Sequence, residues 1–533
     1  MRAAHRFLSV LTLIVAALGA CVGDDPGVST DNNPDGGAPD GSSTTDSSST
    51  DGDPANDASP DADLPPKAEG KFRWASAYGT GGQTDSVAFA SADAVYMVTP
   101  VQNTVSFDGK NVTPNAGGPV PLDAVLAKLD NLGKASWVAH LTGDNLDTAI
   151  SVTADAQGNA YVVGRSYSSS IAIGTTTVTR TTGTQFGFAF KLDGATGTPL
   201  WGRRFQSSTT AGCNSASVSG DHLAIACGFD GASMSFSKVG GTTDTVANPG
   251  TTGNAGFVAL LQASGGEVVW ANALGTAATN DTRTTSVAVT STGDVFASGF
   301  FTGASLVDTK GSAKLPLARA GTGFNGLVVR FSAGDGSVAW VKGFGDVANG
   351  AATVQAASLS YDATGGLAVV GQYTGTPNLG MPAPPPAAVG DDDGFVVSLD
   401  PNDGKTKWQK AFGGTLQERV MGVAVDRWGS VIVGGFYASA AVTIDGKLLP
   451  APMGNTNNNA FLVKWANDGS QQWLKLFVPT TSASNSAARV SAVSTHASGE
   501  IVFGGGFLGE MDLGGGTATT AALASSFAVR VGP

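Results

Sequence analysis

Basic residues are scarce in this chain of 533 residues, with 30 lysines and arginines against 43 acids. So few cations, spread along the whole chain, build no stripe that could neutralise phosphates, and nucleic acid is excluded as a partner. Histidine is rarer still: His5, His140, His222 and His496 stand at no spacing that favours a shared metal. The three cysteines, Cys21, Cys213 and Cys227, include no adjacent pair. The apolar run at residues 7–20 is too short to cross about 30 Å of hydrocarbon as a helix. No serine nucleophile elbow, phosphate-cradling glycine loop or paired-acid constellation is recognisable, so the chain is expected not to be an enzyme.

Aromatic residues are absent from residues 22–66, which are built almost wholly from Asp, Ser, Thr, Gly, Pro, Ala and Asn. Such a segment cannot bury enough apolar surface to offset its ordering entropy, and a disordered tether is expected over 21–67. It would span roughly 35–40 Å, more with charge repulsion. Most of the net charge of −13 sits there: eleven aspartates fall in 22–66 without one base, and the part from residue 67 onward is nearly neutral. Asp51, Asp53, Asp57, Asp61 and Asp63 alternate like calcium ligands, but no glutamate closes a 12-residue loop and prolines interrupt it. A solvated acidic stalk is the expectation, and no cofactor is assigned.

What precedes the tether reads as a signal peptide over 1–20, with Arg2 and Arg6 ahead of the apolar run. Leu18-Gly19-Ala20-Cys21 resembles the bacterial lipobox. The resemblance implies that Cys21 is the acylated first residue of the mature protein, held on the membrane by two or more acyl chains. Val22 after the cysteine leans toward the outer membrane. The alternative is an ordinary secretory signal that contains a cysteine.

From residue 71 the chain is periodic. Trp74, Trp137, Trp201, Trp270, Trp340, Trp408 and Trp473 follow one another at 63 to 70 residues, and the last six each have a glycine four residues earlier. Each glycine sits in a hairpin turn, and a second hairpin, such as 150–164, lies ten to twenty residues beyond each tryptophan. Two hairpins make four strands, A, B (second hairpin) and C, D (tryptophan hairpin). The chain opens on a lone D strand, 72–78, and ends after a C strand, 526–531. Pairing the two would close a ring without exposed end sheets, so the expectation for 68–533 is an all-β, seven-bladed β-propeller, monomeric.

The stretch from Leu192 to Trp201, echoed from Leu399 to Trp408, resembles the blade motif of PQQ-type propellers. Residues 71–533 are similar to the seven-bladed repeats of bacterial surface lipoproteins. This resemblance implies a fold and leaves function open, because such blades serve enzymes, assembly factors and adhesins. A quinoprotein dehydrogenase of this type would carry vicinal cysteines over its cofactor, which this chain lacks. The seven tryptophans are therefore expected to pack between neighbouring blades.

Cys213 and Cys227 fall on strands A and B of the third blade, where a three-residue turn at 219–221 would set them opposite each other. A disulfide is expected in an exported protein, with two buried thiols as the alternative. His140 is expected on a D strand, His222 and His496 in A–B turns, all solvated. Residues 390–394, Gly-Asp-Asp-Asp-Gly, read as a solvated acidic loop or a cation ligand. The B–C connections are long, about 20 to 27 residues, and 106–110 and 443–447 look like short hairpin arms. Long loops on a rigid scaffold are where recognition usually lies, so an envelope or extracellular protein or glycan is expected to bind there. The other readings are a hydrolase or lyase site at the channel mouth and an envelope scaffold.

Overall fold

The computed structural model describes residues 70–115, 122–237, 242–250, 253–276, 280–302, 306–311, 323–345, 352–364, 366–452, 458–479, 487–515 and 518–533. Cys21, the signal peptide and the tether with Asp51 to Asp63 lie outside them. The described residues belong to one compact unit, Pro65–Pro533. It is an all-β propeller, and no described element is a helix that could cross a membrane.

Four-stranded antiparallel meanders recur along the chain, each written here as A, B, C, D. The first repeat is Ser86–Ser91, Ala94–Val101, Asp123–Leu129 and Ala135–Gly143. The second is Asp147–Ala154, Ala160–Ser166, Phe186–Leu192 and Pro199–Gln206. The third is Ala211–Ser219, His222–Phe229, Gly253–Gln262 and Val268–Gly275. The fourth is Asn280–Val289, Val295–Phe301, Asn325–Phe331 and Val338–Phe344. The fifth is Thr353–Asp362, Gly366–Thr374, Asp393–Leu399 and Thr406–Phe412. The sixth is Glu418–Val425, Val431–Tyr437, Asn459–Trp465 and Gln471–Phe477. The last is Ala487–Thr495, Ile501–Asp512, Ala518–Val531 and, from the chain start, Phe72–Tyr78, which pairs antiparallel with Ala518–Val531.

The fifth, sixth and last repeats are the separate four-stranded sheets that the expectation of seven blades would have, but the others are not. Among the described residues the pairing gives six sheets of four or more strands. The third and fourth repeats merge into nine strands through a short parallel contact, Gly253 with Asn280 and Asn254 with Asp281. The same contact shrinks to one bridge elsewhere, Gln185 with Thr210 and Asp392 with Gln417, so its length decides whether neighbours fuse. The A strands stand side by side in chain order, and Ser86–Ser91 also packs against Ala487–Thr495. Their levels are set by hydroxyls: Ser86 accepts from the Val152 N–H at 3.1 Å, Ser151 from Ala216 and Ser215 from Val287, both at 3.2 Å.

The core lies between the faces of consecutive repeats. Ala226, Val258 and Trp270 of the third repeat bury against Val287, Val295 and Leu327 of the fourth, with about 1.5–3 kcal/mol gained per large side chain removed from water. The tryptophan and glycine periods have one cause. Gly336, with φ +71°, lies so close to the Trp270 ring of the preceding repeat that an added Cβ would sit within 2.5 Å of it, and the same contact joins Gly133 to Trp74 and Gly197 to Trp137. A left-handed turn residue without a side chain is needed where an indole seals the joint.

The long B–C connections do not stand free on one face. Ser170–Ile173 and Thr176–Thr179 form a hairpin that pairs with the D strand of the preceding repeat, Ala135–Gly143. Ser233–Ser237 adds to Pro199–Gln206, and Val307–Asp308 to Val268–Gly275. The other repeats repeat this with fewer bonds: Asn378 bridges Gly345, Met511 bridges Pro479, Asp108 accepts from the Tyr78 hydroxyl at 2.9 Å, and Asp445 pairs with Lys410 at 2.6 Å. The arms cover D-strand edges that would otherwise expose unpaired backbone. The arms are thus docked on neighbouring strands rather than standing free, while the rest of each B–C connection stays on the same side of the propeller as the D–A connections.

Candidate functional site: arginines around the propeller centre

Each A strand begins, and each B strand ends, on the side of the propeller where the D–A and B–C connections lie. A repeated glycine on strand B fixes the geometry there. A side chain at Gly299 would place its Cβ 1.9 Å from the Arg283 carbonyl oxygen, and Gly435 and Gly505 stand in the same relation to Arg419 and Arg489 at 2.0 and 1.9 Å. The A-strand residue one step before the partner of that position holds the same register from the second repeat to the last. It is, in that order, Thr148, Gly212, Arg283, Gln355, Arg419 and Arg489.

Where the third repeat offers only Gly212, a neighbour fills the space. Arg165, at the end of the second repeat's B strand, has its Cβ 3.2 Å from where a Gly212 side chain would begin. Its guanidinium lies within electrostatic reach of Arg283, two repeats away, and of Asp85 in the first repeat. Arg489 likewise feels Arg419 and Asp85, and stands 5.9 Å from the Phe436 ring. Arg165 and Arg489, from the second and last repeats, thus both lie within electrostatic reach of Asp85, with Arg283 near the first and Arg419 near the second.

Two of the four are matched. Arg283 binds Asp281 twice, at 2.8 and 3.2 Å, and Arg419 binds Asp392 at 2.7 Å, although the Arg419 Nε is buried without a partner. Arg165 keeps an exposed side chain and Arg489 a half-exposed one, and the desolvation by surrounding protein holds both below the usual guanidinium range. Burial pushes the Asp85 carboxyl up to about 7, although Gln83, at 3.4 Å, and the two arginines favour its ionised form.

The residues singled out by sequence are dispersed. Cys213 and Cys227 are bonded as a disulfide between directly paired residues of strands A and B. The turn between the strands has two residues, Gly220 and Asp221, because Ser219 already pairs with His222. His222 therefore opens strand B rather than lying in the turn. Its ring sits against Gly293 of the next repeat. His140 is on its D strand but bonds buried Asp123 at 2.7 Å instead of being solvated, and His496 stays in its turn with Ser498 at 2.9 Å. The three belong to different repeats.

The indole N–H of Trp137 donates to Gly194, that of Trp201 to Ala263, Trp270 to Ala333, Trp340 to Pro401 and Trp408 to Asn467, at 2.8 to 3.4 Å, each acceptor lying in the next repeat. Those of Trp74 and Trp473 are buried without a partner. The acidic run 390–394 is no solvated loop: Asp393 is buried on strand C, Asp392 holds Arg419, and only Asp391 is exposed. Among the described residues no three His, Cys, Asp or Glu side chains cluster as metal ligands.

No protein-family model matches the sequence, and no curated protein does. Solved structures are similar in fold. BamB from Moraxella catarrhalis aligns over 85% of this chain and 98% of its own at 11% identity and a TM-score of 0.36. Quinohemoprotein alcohol dehydrogenase from Comamonas testosteroni aligns over 85% and 77% at 11% identity, TM-score 0.34. Pyrococcus horikoshii acylaminoacyl peptidase aligns over 82% and 52% at 9% identity, TM-score 0.38. These likenesses are too distant to bear on function.

Proposed function

We propose that this chain is a lipid-anchored cell-envelope protein whose seven meanders form one closed propeller acting as a binding or scaffold module. Anchoring through Cys21, with 21–67 as the spacer, rests on the sequence pattern of the N-terminus. Closure rests on the pairing of Phe72–Tyr78 with Ala518–Val531 and on the packing of the first A strand against the last. The contact surface is the face where the A strands begin.

The observation that carries this reading is the exposure of Tyr167, Val389 and Leu416, 38%, 72% and 42% accessible, all in connections on the side where the arginines converge. Exposed large apolar groups around a charged centre are the anatomy of a protein contact. The partner is accordingly a protein, because the connections on this face hold few aromatics for sugar stacking. A photo-crosslinking residue placed at Tyr167 or Leu416 in cells is expected to capture a defined envelope protein. The same residue at Leu132, in a C–D turn on the other side, is expected to capture none. Equal capture from both sides, or none from either, would remove the reading.

A further inference from the structure

The arginines at the propeller centre carry more positive charge than their surroundings absorb. Asp281 answers Arg283 and Asp392 answers Arg419. Arg165 and Arg489 each have Asp85 within electrostatic reach, and among the described residues neither guanidinium has a hydrogen-bond or ion-pair partner. Arg165 is exposed and Arg489 half-exposed, so the N–H donors of both are open to a further partner. Packing alone does not account for the arrangement. Register-equivalent positions hold Thr148, Gly212 and Gln355, so the A strand accepts small or neutral residues there. Arg165 also enters from a different strand, over the one position that is glycine.

We propose that this centre is a binding site for a compact oxyanion, a carboxylate- or phosphate-bearing small molecule gripped between Arg165 and Arg489 with Arg419 beside them. A guanidinium presents a planar fork of N–H donors that matches two oxygens of either group. The orphaned Arg419 Nε offers a further donor. Asp85 presents the opposite sign to the same two guanidiniums, so it competes with the ligand for them. The site does not depend on the partner-binding reading above, since a small anion needs no protein surface.

The test is titration calorimetry of the purified full chain with citrate and with inorganic phosphate in chloride buffer, glucose serving as the neutral control. Saturable binding of citrate alone identifies the ligand as a carboxylate, and of phosphate alone as a phosphate. Arg165→Gln and Arg489→Gln should each weaken binding at least tenfold without lowering the melting temperature of the free protein. Lys134→Gln, in a C–D turn on the far side, should change nothing. Asp85→Asn should tighten binding, which reads the site even if an arginine variant folds poorly. Absence of saturable binding for both anions, full affinity in both arginine variants, or an equal loss in Lys134→Gln would overturn the proposal.

Discussion

Lys464 Nζ lies 3.1 Å from Asp426 Oδ2 with both side chains buried, 2% and 0% exposed. Lys464 is on strand C of the sixth repeat, and Asp426 follows strand A, where its other oxygen accepts the N–H groups of Trp428 and Ser430 at 3.0 and 2.8 Å. The same clamp joins Lys191 to Asp155 at 3.5 Å, and a variant with the acid just before strand B joins Arg330 to Asp294 at 2.7 Å and Arg530 to Glu500. Removing one partner strands the other charge, which costs about 3–5 kcal/mol. Lys464→Met is therefore expected to lower the urea midpoint sharply. Lys405→Met should leave it unmoved, because the Lys405–Asp403 pair at 2.6 Å is exposed.

Trp408 and Trp473 stand at equivalent places but differ in one bond. The Trp408 indole donates to the Asn467 carbonyl at 2.8 Å, whereas the Trp473 N–H is buried and unpaired beside Gly70, whose N–H bonds the Pro533 carbonyl at 2.7 Å where the other repeats have a turn. A hydrogen bond is worth about 1 kcal/mol net, and an orphaned donor costs stability. Trp408→Phe is expected to destabilise by at least that much, and Trp473→Phe to be neutral or stabilising, read by denaturant unfolding. Equal losses would mean that ring packing alone decides.

These two tryptophans also show where the sequence was informative. Their spacing, and the glycine four residues earlier, were enough for an all-β repeat protein with hairpins at the right places, because a left-handed turn glycine and an indole both leave marks on sequence. The docking of the arms left none: Ile171 pairs with Gly143 in another repeat, a contact set by tertiary geometry and not by period. Arg283, Arg419 and Arg489 were within reach, since each precedes by one the residue opposite a strand-B glycine, and aligning those glycines brings them into one column. Arg165 was not, because its seat is created by the missing side chain of Gly212. Asp393 looked like part of a polar loop, and only strand C beginning at that residue buries it.

Asp147 and Asp393 make stability depend on pH in an unusual direction. Burial, against hydrogen bonds from Ser166 and Ser168 and with help from Asp123 and Asp144, raises Asp147 to about 7. Burial and then Glu418 raise Asp393 to about 6. The folded state thus keeps protons that the unfolded chain releases near pH 4, so these groups favour folding at low pH and lose that contribution as pH rises through 6 and 7. For Asp147 the loss is at most ~4 kcal/mol. Asp147→Asn is expected to match the parent at pH 4 and exceed it at pH 8 in urea midpoint. A parent protein that gains stability from pH 4 to 8 in parallel with the variant would refute this assignment.

The arm 170–179 separates edge protection from recognition. Ile171, Ile173 and Val178 are buried, and Ser170–Ile173 is hydrogen-bonded to the edge of Ala135–Gly143. Ser166 pairs directly with Phe186, so a short glycine turn can join strands B and C once the arm is removed. Each buried aliphatic side chain lost forfeits about 1.5–3 kcal/mol, and the bared edge becomes a template for another chain. The shortened protein is expected to unfold at lower urea and to associate with rising concentration, seen by light scattering. If it stays monomeric and as stable as the parent, the arm is not protecting an edge, and recognition becomes the better reason for its length.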